Sequence, residues 1–422
     1  MRKPLSPLRP LCLFALLACL ATGARGLAAE ELWSESGFYL DLPEGYALSG
    51  GDGKTRFAFV DPAGGMEFDI LLYEQGRFKG AEALAAESLG KLGSKGERES
   101  FAYEGREAVF AELAFSLGGA AKRGYAVFIG GRPPARGSAG NPGGAGNPGG
   151  AGNPGGAGPG ALAGPAAKPA AEPHVALLAY SDEARFEAYA DLVLSCLDSF
   201  SADRAARRAP GPLSQYLLPA SAPTEKKILV FGGASLELPW DQAGADQCLS
   251  TAGREFRVLE AYGGTEDLWK AAWARCYRMI YRESARRLDR VAAELDRLLP
   301  DAPTDAARKL LEWVQDFRYE RDQAGIDFVD PLTAAFEGRG DCDSRAMVMA
   351  IILERRGVDA LLMLSRDYSH AMAAVDVPGG GQRFPFGGKD WLVAETTAKV
   401  GLGMIAADQA DWKKWLGVEF GE

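Results

Sequence analysis

The chain has 422 residues, of which 47% are hydrophobic and 10% aromatic, enough for two or three domains with packed cores. This composition excludes an intrinsically disordered chain. The formal net charge is −10 and no basic patch stands out along the sequence, so we expect no nucleic-acid binding, because phosphates repel an acidic protein.

Residues 1–29 have the pattern of a secretory signal peptide, in which basic residues precede the apolar run 11–20 and small residues follow it. The run is shorter than the roughly 20 apolar residues that span a bilayer. Removal of residues 1–29 takes away four basic side chains and no acidic one, which changes the net charge from −10 to −14. We expect an exported, periplasmic protein. The residues around Cys19 also resemble a lipoprotein cleavage site, which leaves open a membrane tether through that cysteine.

Residues 30–202 predict a domain of mixed strands and helices. Alternating apolar residues indicate the strands, and apolar residues at every third or fourth position indicate the helices. The expected elements are strands at 37–43, 56–60 and 66–73, a helix at 81–92, strands at 99–103, 107–117, 124–129 and 175–180, and a helix at 181–200. Both this order and the closing run 180–200 resemble the PsbP-like α+β fold, a small sheet with helices packed on it. The resemblance implies a binding or accessory role.

A glycine- and proline-rich insertion, residues 131–173, separates two of these strands. Glycine recurs at every third position from Gly137 to Gly158, which matches the period of collagen. Only about seven triplets are present, and every second one has a second glycine where proline would stabilise a collagen helix. We therefore expect a disordered loop, whose ends meet as neighbouring strands at little entropic cost.

Residues 203–224 contain four prolines and indicate a linker to a second domain, 225–422. Strands are expected at 228–231 and 256–259. A long helix begins at Thr265 and continues to about residue 298, and another helix begins at Thr304. The long helix carries an aromatic stripe at helical spacing. We interpret the stripe as a core face, although it resembles a ligand shelf. The stripe contains Trp269, Trp273 and Tyr277.

Four cysteines remain after removal of the signal peptide, an even number that suggests disulfides in an exported protein. The domain division allows at most one bridge, between Cys248 and Cys276, and leaves Cys196 as a buried free thiol. The alternative is that all three are small buried hydrophobic residues. The fourth, Cys342, has the surroundings of a reactive thiol.

Cys342 lies where a loop enters a predicted helix that ends at Gly357. The free amides and positive dipole at a helix N-terminus lower a thiol pKa from about 8.5. The neighbouring Asp341 and Asp343 oppose this effect unless their carboxylates point away. A histidine beside the thiol would supply the activation that the helix alone does not guarantee.

The chain has only two histidines, which excludes a multi-histidine metal site. His174 opens a strand in the first domain, and we expect a structural role for it. Asn141, Asn147 and Asn153 are the only asparagines and all lie in the insertion, so the third member of a catalytic triad is expected to be a carboxylate.

His370 opens a predicted strand, 371–377, and a glycine-rich loop leads to the next strand, 391–394, which is followed by Glu395. In an antiparallel pair the first residue of one strand lies near the last residue of the other. The sequence therefore predicts a Cys-His-Glu triad. Its nucleophile is Cys342, its base and later acid is His370, and Glu395 orients the imidazole.

This region resembles the bacterial transglutaminase-like proteins of the papain-type cysteine fold. The matching segments are 317–319, 331–332, 338–343, 369–371 and 393–397. The resemblance implies a C-terminal domain in which the nucleophile at a helix N-terminus faces an antiparallel sheet. Two positions depart from the family: Glu395-Thr396 stands where Asp, often followed by Pro, is common, and Ser369 where Gly is common.

These features predict an exported thiol enzyme that forms a thioester from a peptide or isopeptide amide. The acyl group then passes to water, as in a peptidase or amidase, or to an amine, as in a transglutaminase. The Cys342 amide is the expected oxyanion donor, with Tyr319 and Gln323 as candidate side-chain donors. No cofactor or metal is expected, and the expected partner is a peptide or protein substrate. The alternative is an inactive exported binding or scaffold protein.

Overall fold

The computed structural model describes residues 31–33, 37–132, 172–203, 205–218, 225–321 and 327–420. The predicted signal peptide and Cys19 lie outside these residues. So does most of the predicted insertion, of which only 131, 132, 172 and 173 are described.

The N-terminal part contains ten strands and three helices among its described residues. They are β1 (Glu31–Trp33), β2 (Tyr39–Asp41), β3 (Ala47–Gly51), β4 (Arg56–Val60), β5 (Met66–Tyr73), α1 (Ala81–Leu92), β6 (Arg98–Tyr103), β7 (Arg106–Leu117), β8 (Ala120–Ile129), β9 (His174–Asp182), α2 (Phe186–Asp198), β10 (Phe200–Ser201) and α3 (Pro212–Leu217). Seven strands form an antiparallel sheet in the order β3-β4-β5-β9-β8-β7-β6.

Each face of this sheet is covered by one helix. Alternating side chains of β5, such as Phe68 and Ile70, pack with Val193 of α2, while Leu178 of β9 packs on the other face with Leu84 of α1. The two strands that flank the insertion, β8 and β9, are hydrogen-bonded neighbours, as expected. The strands β1, β2 and β10 form a separate small sheet.

The predicted linker contains packed structure among its described residues. Residues 205–208 form a 3₁₀ turn and α3 follows. Ser214 of α3 donates from its amide (2.9 Å) and its hydroxyl (2.7 Å) to the buried carboxylate of Asp198. This segment is therefore fixed to α2.

The C-terminal part contains nine strands and six helices among its described residues. They are β11 (Glu225–Phe231), β12 (Ala234–Trp240), α4 (Gln242–Glu260), α5 (Glu266–Arg287), α6 (Asp289–Asp296), α7 (Pro303–Gln315), β13 (Arg318–Tyr319), α8 (Pro331–Glu337), β14 (Arg339–Gly340), α9 (Cys342–Arg355), β15 (Ala360–Ser365), β16 (His370–Val375), β17 (Arg383–Phe386), β18 (Lys389–Ala394) and β19 (Leu416–Glu419). Five strands form an antiparallel sheet in the order β17-β18-β16-β15-β19. The mixed α+β class expected from the sequence is confirmed.

Two predictions in this part are wrong. Residues 256–259, predicted as a strand, form the last turn of α4, which begins where the Asp241 side chain accepts a hydrogen bond from the Gly244 amide at 2.9 Å. Apolar residues at 245, 248, 252 and 258 share the buried face of this helix, so helical spacing extends through the four-residue apolar run. The long helix expected from Thr265 is divided into α5 and α6 at Leu288.

Helix α5 joins the two parts of the molecule through buried arginines. Arg275 is 1% exposed and donates to the carboxylate of Glu255 at 2.8 Å, to the carbonyl of Asp41 at 2.6 Å and to the Ser195 hydroxyl at 2.8 Å. Two turns further on, Arg282 donates to backbone carbonyls of residues 198–200. A buried guanidinium needs such partners, and these fix α5 against the N-terminal sheet domain.

Candidate active site

The site begins at the N-terminus of α9, where Cys342 is the first helical residue. The preceding Asp341 caps the helix: its carboxylate accepts from the Ser344 amide at 3.0 Å and the Ser344 hydroxyl at 2.7 Å. Gly340 has a φ of 154°, and a Cβ there would lie 2.7 Å from the Ser344 Cβ. A glycine before the cap therefore allows the chain to enter the helix.

The Cys342 thiol is held between a carboxylate and a backbone amide. Its S–H donates to Asp343 Oδ1 at 3.2 Å, and the Ala371 N–H donates to the sulfur. Asp343 also accepts a hydrogen bond from the Tyr277 hydroxyl of α5. Burial and the charges of Asp343 and Asp341 raise the pKa of the Cys342 thiol well above its usual value. The resting thiol is therefore protonated at neutral pH.

The two aspartates beside the thiol are themselves perturbed. Burial and the nearby charge of Asp343 raise the pKa of Asp341 to about 6. Burial likewise raises the pKa of Asp343, although hydrogen bonds from Tyr277 and Cys342 act to lower it. The helix N-terminus does not by itself produce a thiolate here, because burial and two carboxylates oppose it.

His370 and Glu395 are brought together by the sheet. His370 is the first residue of β16, Glu395 follows the end of β18, and the two strands are antiparallel neighbours. His370 Nε2 lies 2.7 Å from Glu395 Oε2, and the other carboxylate oxygen accepts from the Thr397 amide at 2.7 Å and the Thr397 hydroxyl at 2.5 Å.

Glu395 is ionised in this arrangement. Burial alone would raise its pKa, but the hydrogen bond and charge of His370 and the hydrogen bonds from Thr397 lower the pKa below its usual value. Because Nε2 of His370 faces Glu395, the remaining ring nitrogen is Nδ1, which lies next to the residue's own backbone. The Ala371 amide that contacts the Cys342 sulfur is the adjacent backbone group.

The two candidate oxyanion donors differ in what the structure describes. Tyr319 is 53% exposed and lies on β13, and its pKa is raised by partial burial and by Cys342 in its charged form. Gln323 lies outside the described residues.

Sequence reasoning gave no role to Arg345, which organises the backbone around the nucleophile. Its guanidinium donates to the carbonyls of Phe317 (2.5 Å) and Gly340 (3.1 Å), and it lies 5.4 Å from the centre of the Tyr319 ring. The signal in the sequence is an arginine directly before the apolar run 346–353 of the helix that starts at Cys342. For Tyr277 the sequence pattern predicts only a position in the core stripe.

The other histidine and the other three cysteines are buried and are not members of the triad. His174 is buried on β9, and its Nδ1 accepts from the Gly131 amide at 3.0 Å, which fixes one end of the insertion. Cys248 and Cys276 are free and buried, so the bridge that the sequence allowed is absent from the described residues, as is any disulfide to Cys196. All three serve as small core residues.

Within the described ranges, no three or more His, Cys, Asp or Glu side chains are grouped so that they could hold a metal ion. Among those same residues no helix has the length and apolar character needed to cross a bilayer.

Two solved structures are weak neighbours of this chain. No family model and no curated protein matches the chain. The solution structure of cyanobacterial PsbP (CyanoP) from Synechocystis sp. PCC 6803 is 11% identical, with a TM-score of 0.27, and the match covers 44% of this chain and 98% of that chain. A crystal structure from Bacteroides thetaiotaomicron VPI-5482 is 11% identical, with a TM-score of 0.22, over 58% of this chain and 74% of that chain. A PsbP-like protein is thus a weak structural neighbour of part of the chain, while the transglutaminase-like resemblance stays a prediction.

Proposed function

We propose that this chain is an exported cysteine-dependent acyl-transfer enzyme that acts on peptide or isopeptide amides. In this proposal the C-terminal part is a transglutaminase-like domain of the papain type and the N-terminal part is a PsbP-like accessory domain. The observation that carries the proposal is the 2.7 Å contact between His370 and Glu395. The backbone amide of Ala371, the residue after His370, forms a hydrogen bond with the Cys342 sulfur.

The raised pKa of Cys342 favours a mechanism in which the proton moves only when substrate is bound. His370 accepts the thiol proton as the sulfur attacks the amide carbonyl, and the charge of Glu395 stabilises the imidazolium. The developing oxyanion is stabilised by the Cys342 amide at the helix N-terminus, with the Tyr319 hydroxyl and Gln323 as further donors.

The tetrahedral intermediate then collapses to a thioester on Cys342. The imidazolium of His370 returns its proton to the leaving amine. Water or a second amine attacks the thioester with His370 again acting as base, and the acyl product leaves as an acid or a new amide. Hydrolysis and transfer share every residue of this scheme and differ only in which acceptor reaches the thioester.

A second candidate function is an inactive binding or scaffold protein. The observation that favours it is the thiol itself, whose pKa is raised by burial and by two carboxylates rather than lowered. In that case the triad residues are structural, and removal of the His370 side chain leaves the reactivity of the thiol unchanged.

Thiol alkylation separates the two candidates. We expect iodoacetamide to modify Cys342 faster than the other three cysteines, which are buried, and this preference to become much smaller in His370→Ala. His174→Ala, which removes the other histidine, is the matched control and should keep the preference. Slow, uniform labelling of all four cysteines in the native protein would contradict the enzyme proposal.

The acceptor is identified with a peptide mixture and a labelled primary amine. Free carboxylic acids as the only products indicate hydrolysis, and stable amine adducts indicate transfer. Cys342→Ala should give neither product. Products that persist in this variant would show that the activity belongs to another site.

A further inference from the structure

A cavity of about 630 Å³ lies beside the candidate active site. It is bounded by the N-terminal turns of α5, the turn between β15 and β16, and the segment that leads into β19. Its aromatic side chains are Trp269, Trp273 and Trp415. Its basic side chains are Lys270, Arg366, Lys413 and Lys414.

One ring contact and the spacing of residues along α5 relate this cavity to the triad. The Trp415 ring lies 6.2 Å, edge-on, from the His370 ring. On the other side, Trp273 precedes Tyr277 by four residues of α5, about 6 Å along the helix axis, and the Tyr277 hydroxyl donates to Asp343 next to the nucleophile. A ligand in the cavity therefore lies one side chain, Trp415, away from His370, and three side chains, Trp273, Tyr277 and Asp343, separate it from Cys342.

The aromatic stripe of α5 has two parts. Tyr277 is buried in the core, as the helical spacing predicts, whereas Trp269 and Trp273 are half-buried and line the cavity. Their ring centres are 4.8 Å apart, and the Arg366 guanidinium lies 5.0 Å from the centre of the Trp269 ring. The first part of the stripe thus forms an apolar floor with a cation over it.

The charge of the cavity is opposite to that of the chain. The four basic side chains are exposed, and none has a carboxylate within ion-pair distance among the residues that the structure describes. Glu266 and Asp367 are the two acids in the lining, against four cations, in a chain with a net charge of −10.

We propose that this cavity is a substrate subsite that binds acidic side chains of the peptide, next to the amide that reacts at Cys342. The carboxylates pair with the cations of the rim, and the aliphatic parts of the peptide pack on the tryptophan rings. A neutral ligand would cover the tryptophan rings but would leave the four cations without a negatively charged partner. This inference rests on the proposed function, since it names the substrate class of the same site.

The test measures binding in Cys342→Ala, which cannot form a thioester, so a failure of the proposed chemistry leaves the measurement intact. The probes are two peptides of equal length, one rich in glutamate and one with glutamine at the same positions. Binding of each peptide is measured from the change in tryptophan fluorescence of the protein. We expect the glutamate peptide to bind at least tenfold more tightly at low salt, and the difference to shrink as salt rises.

Charge reversal locates the site. Lys413→Glu/Lys414→Glu in the Cys342→Ala background should weaken binding of the glutamate peptide at least tenfold and leave the glutamine peptide unaffected. Lys95→Glu, at an exposed position of the N-terminal part, is the matched control and should have no effect. Equal affinity for the two peptides, an equal loss in Lys95→Glu, or tighter binding of an acidic oligosaccharide of the same charge would each overturn the proposal.

Discussion

Replacing Asp343 by asparagine should lower the pKa of the Cys342 thiol. Asp343 Oδ1 lies 3.2 Å from the sulfur, and its charge is the largest contribution after burial to the raised pKa of the thiol. Asparagine has the same shape and keeps an oxygen that can accept from Tyr277. Its amide nitrogen can donate to a thiolate, so the substitution removes an opposing charge and adds a donor.

The expected size follows from the distance. A unit charge at 3.2 Å costs a thiolate about 5 kcal/mol at an effective dielectric constant of about 20. At about 1.4 kcal/mol per pH unit this corresponds to nearly 4 pH units as an upper limit. Burial raises the pKa of Asp343 itself, and any proton that its carboxyl binds removes the charge that acts on the thiol. We therefore expect the thiol to titrate about 2 pH units lower.

The assay is the pH dependence of alkylation by iodoacetamide, followed by mass spectrometry of the peptide that contains Cys342. The midpoint of the profile should move to lower pH in Asp343→Asn. Asp301→Asn removes a charge from an exposed aspartate elsewhere and should leave the midpoint unchanged. A midpoint in Asp343→Asn that stays in place or moves to higher pH would refute the role assigned to this carboxylate.

Three further predictions concern the triad and the buried charges. Glu395→Gln removes the charge beside His370, so kcat for an amide substrate should fall at least about 100-fold with little change in KM; unchanged steady-state kinetics would argue against the triad. Burial raises the pKa of Glu44 to about 7 from 4.5. The folded state therefore favours the protonated form of Glu44. The stability that this preference contributes is complete below pH 4.5 and is lost as the pH rises to about 7, by at most about 3 kcal/mol. The free energy of unfolding, measured with urea, should depend less on pH in Glu44→Gln than in the unmodified protein. An equally strong pH dependence in the two proteins would contradict this. Arg275→Met removes a partner of the buried Glu255 and should reduce the free energy of unfolding by about 3 kcal/mol; a loss below about 1 kcal/mol in urea titrations would show that the pair contributes little.

Local patterns predicted most of the elements that hold the candidate site. The Asp341 cap and the apolar run after Cys342 indicate a helix start at the nucleophile, and α9 begins there. The apolar runs on either side of the turn before His370 indicate two paired strands, which are β15 and β16. These features depend on neighbours a few residues apart in the chain, so the sequence contains the information directly.

The same reasoning failed where a short apolar run has two interpretations. Residues 256–259 suit a strand locally, but apolar positions further back along the chain continue the same face of α4. Periodicity over four residues does not distinguish a strand from the last turn of a helix. The C-terminal strand β19 was not predicted, and it is defined by pairing with β15, more than fifty residues away.

The sequence by itself determined which residue types can carry the chemistry: one thiol at a helix start, one histidine outside the first domain, and a carboxylate after a strand. Only the tertiary structure decided their protonation and surroundings. The pKa of the thiol is set by burial and by Asp343, whose carboxyl is positioned by Tyr277 from α5, 66 residues away. The basic cavity joins three segments that are distant in sequence. Electrostatic energy depends on distance in space and on exclusion of water, and neither quantity can be read from the order of residues.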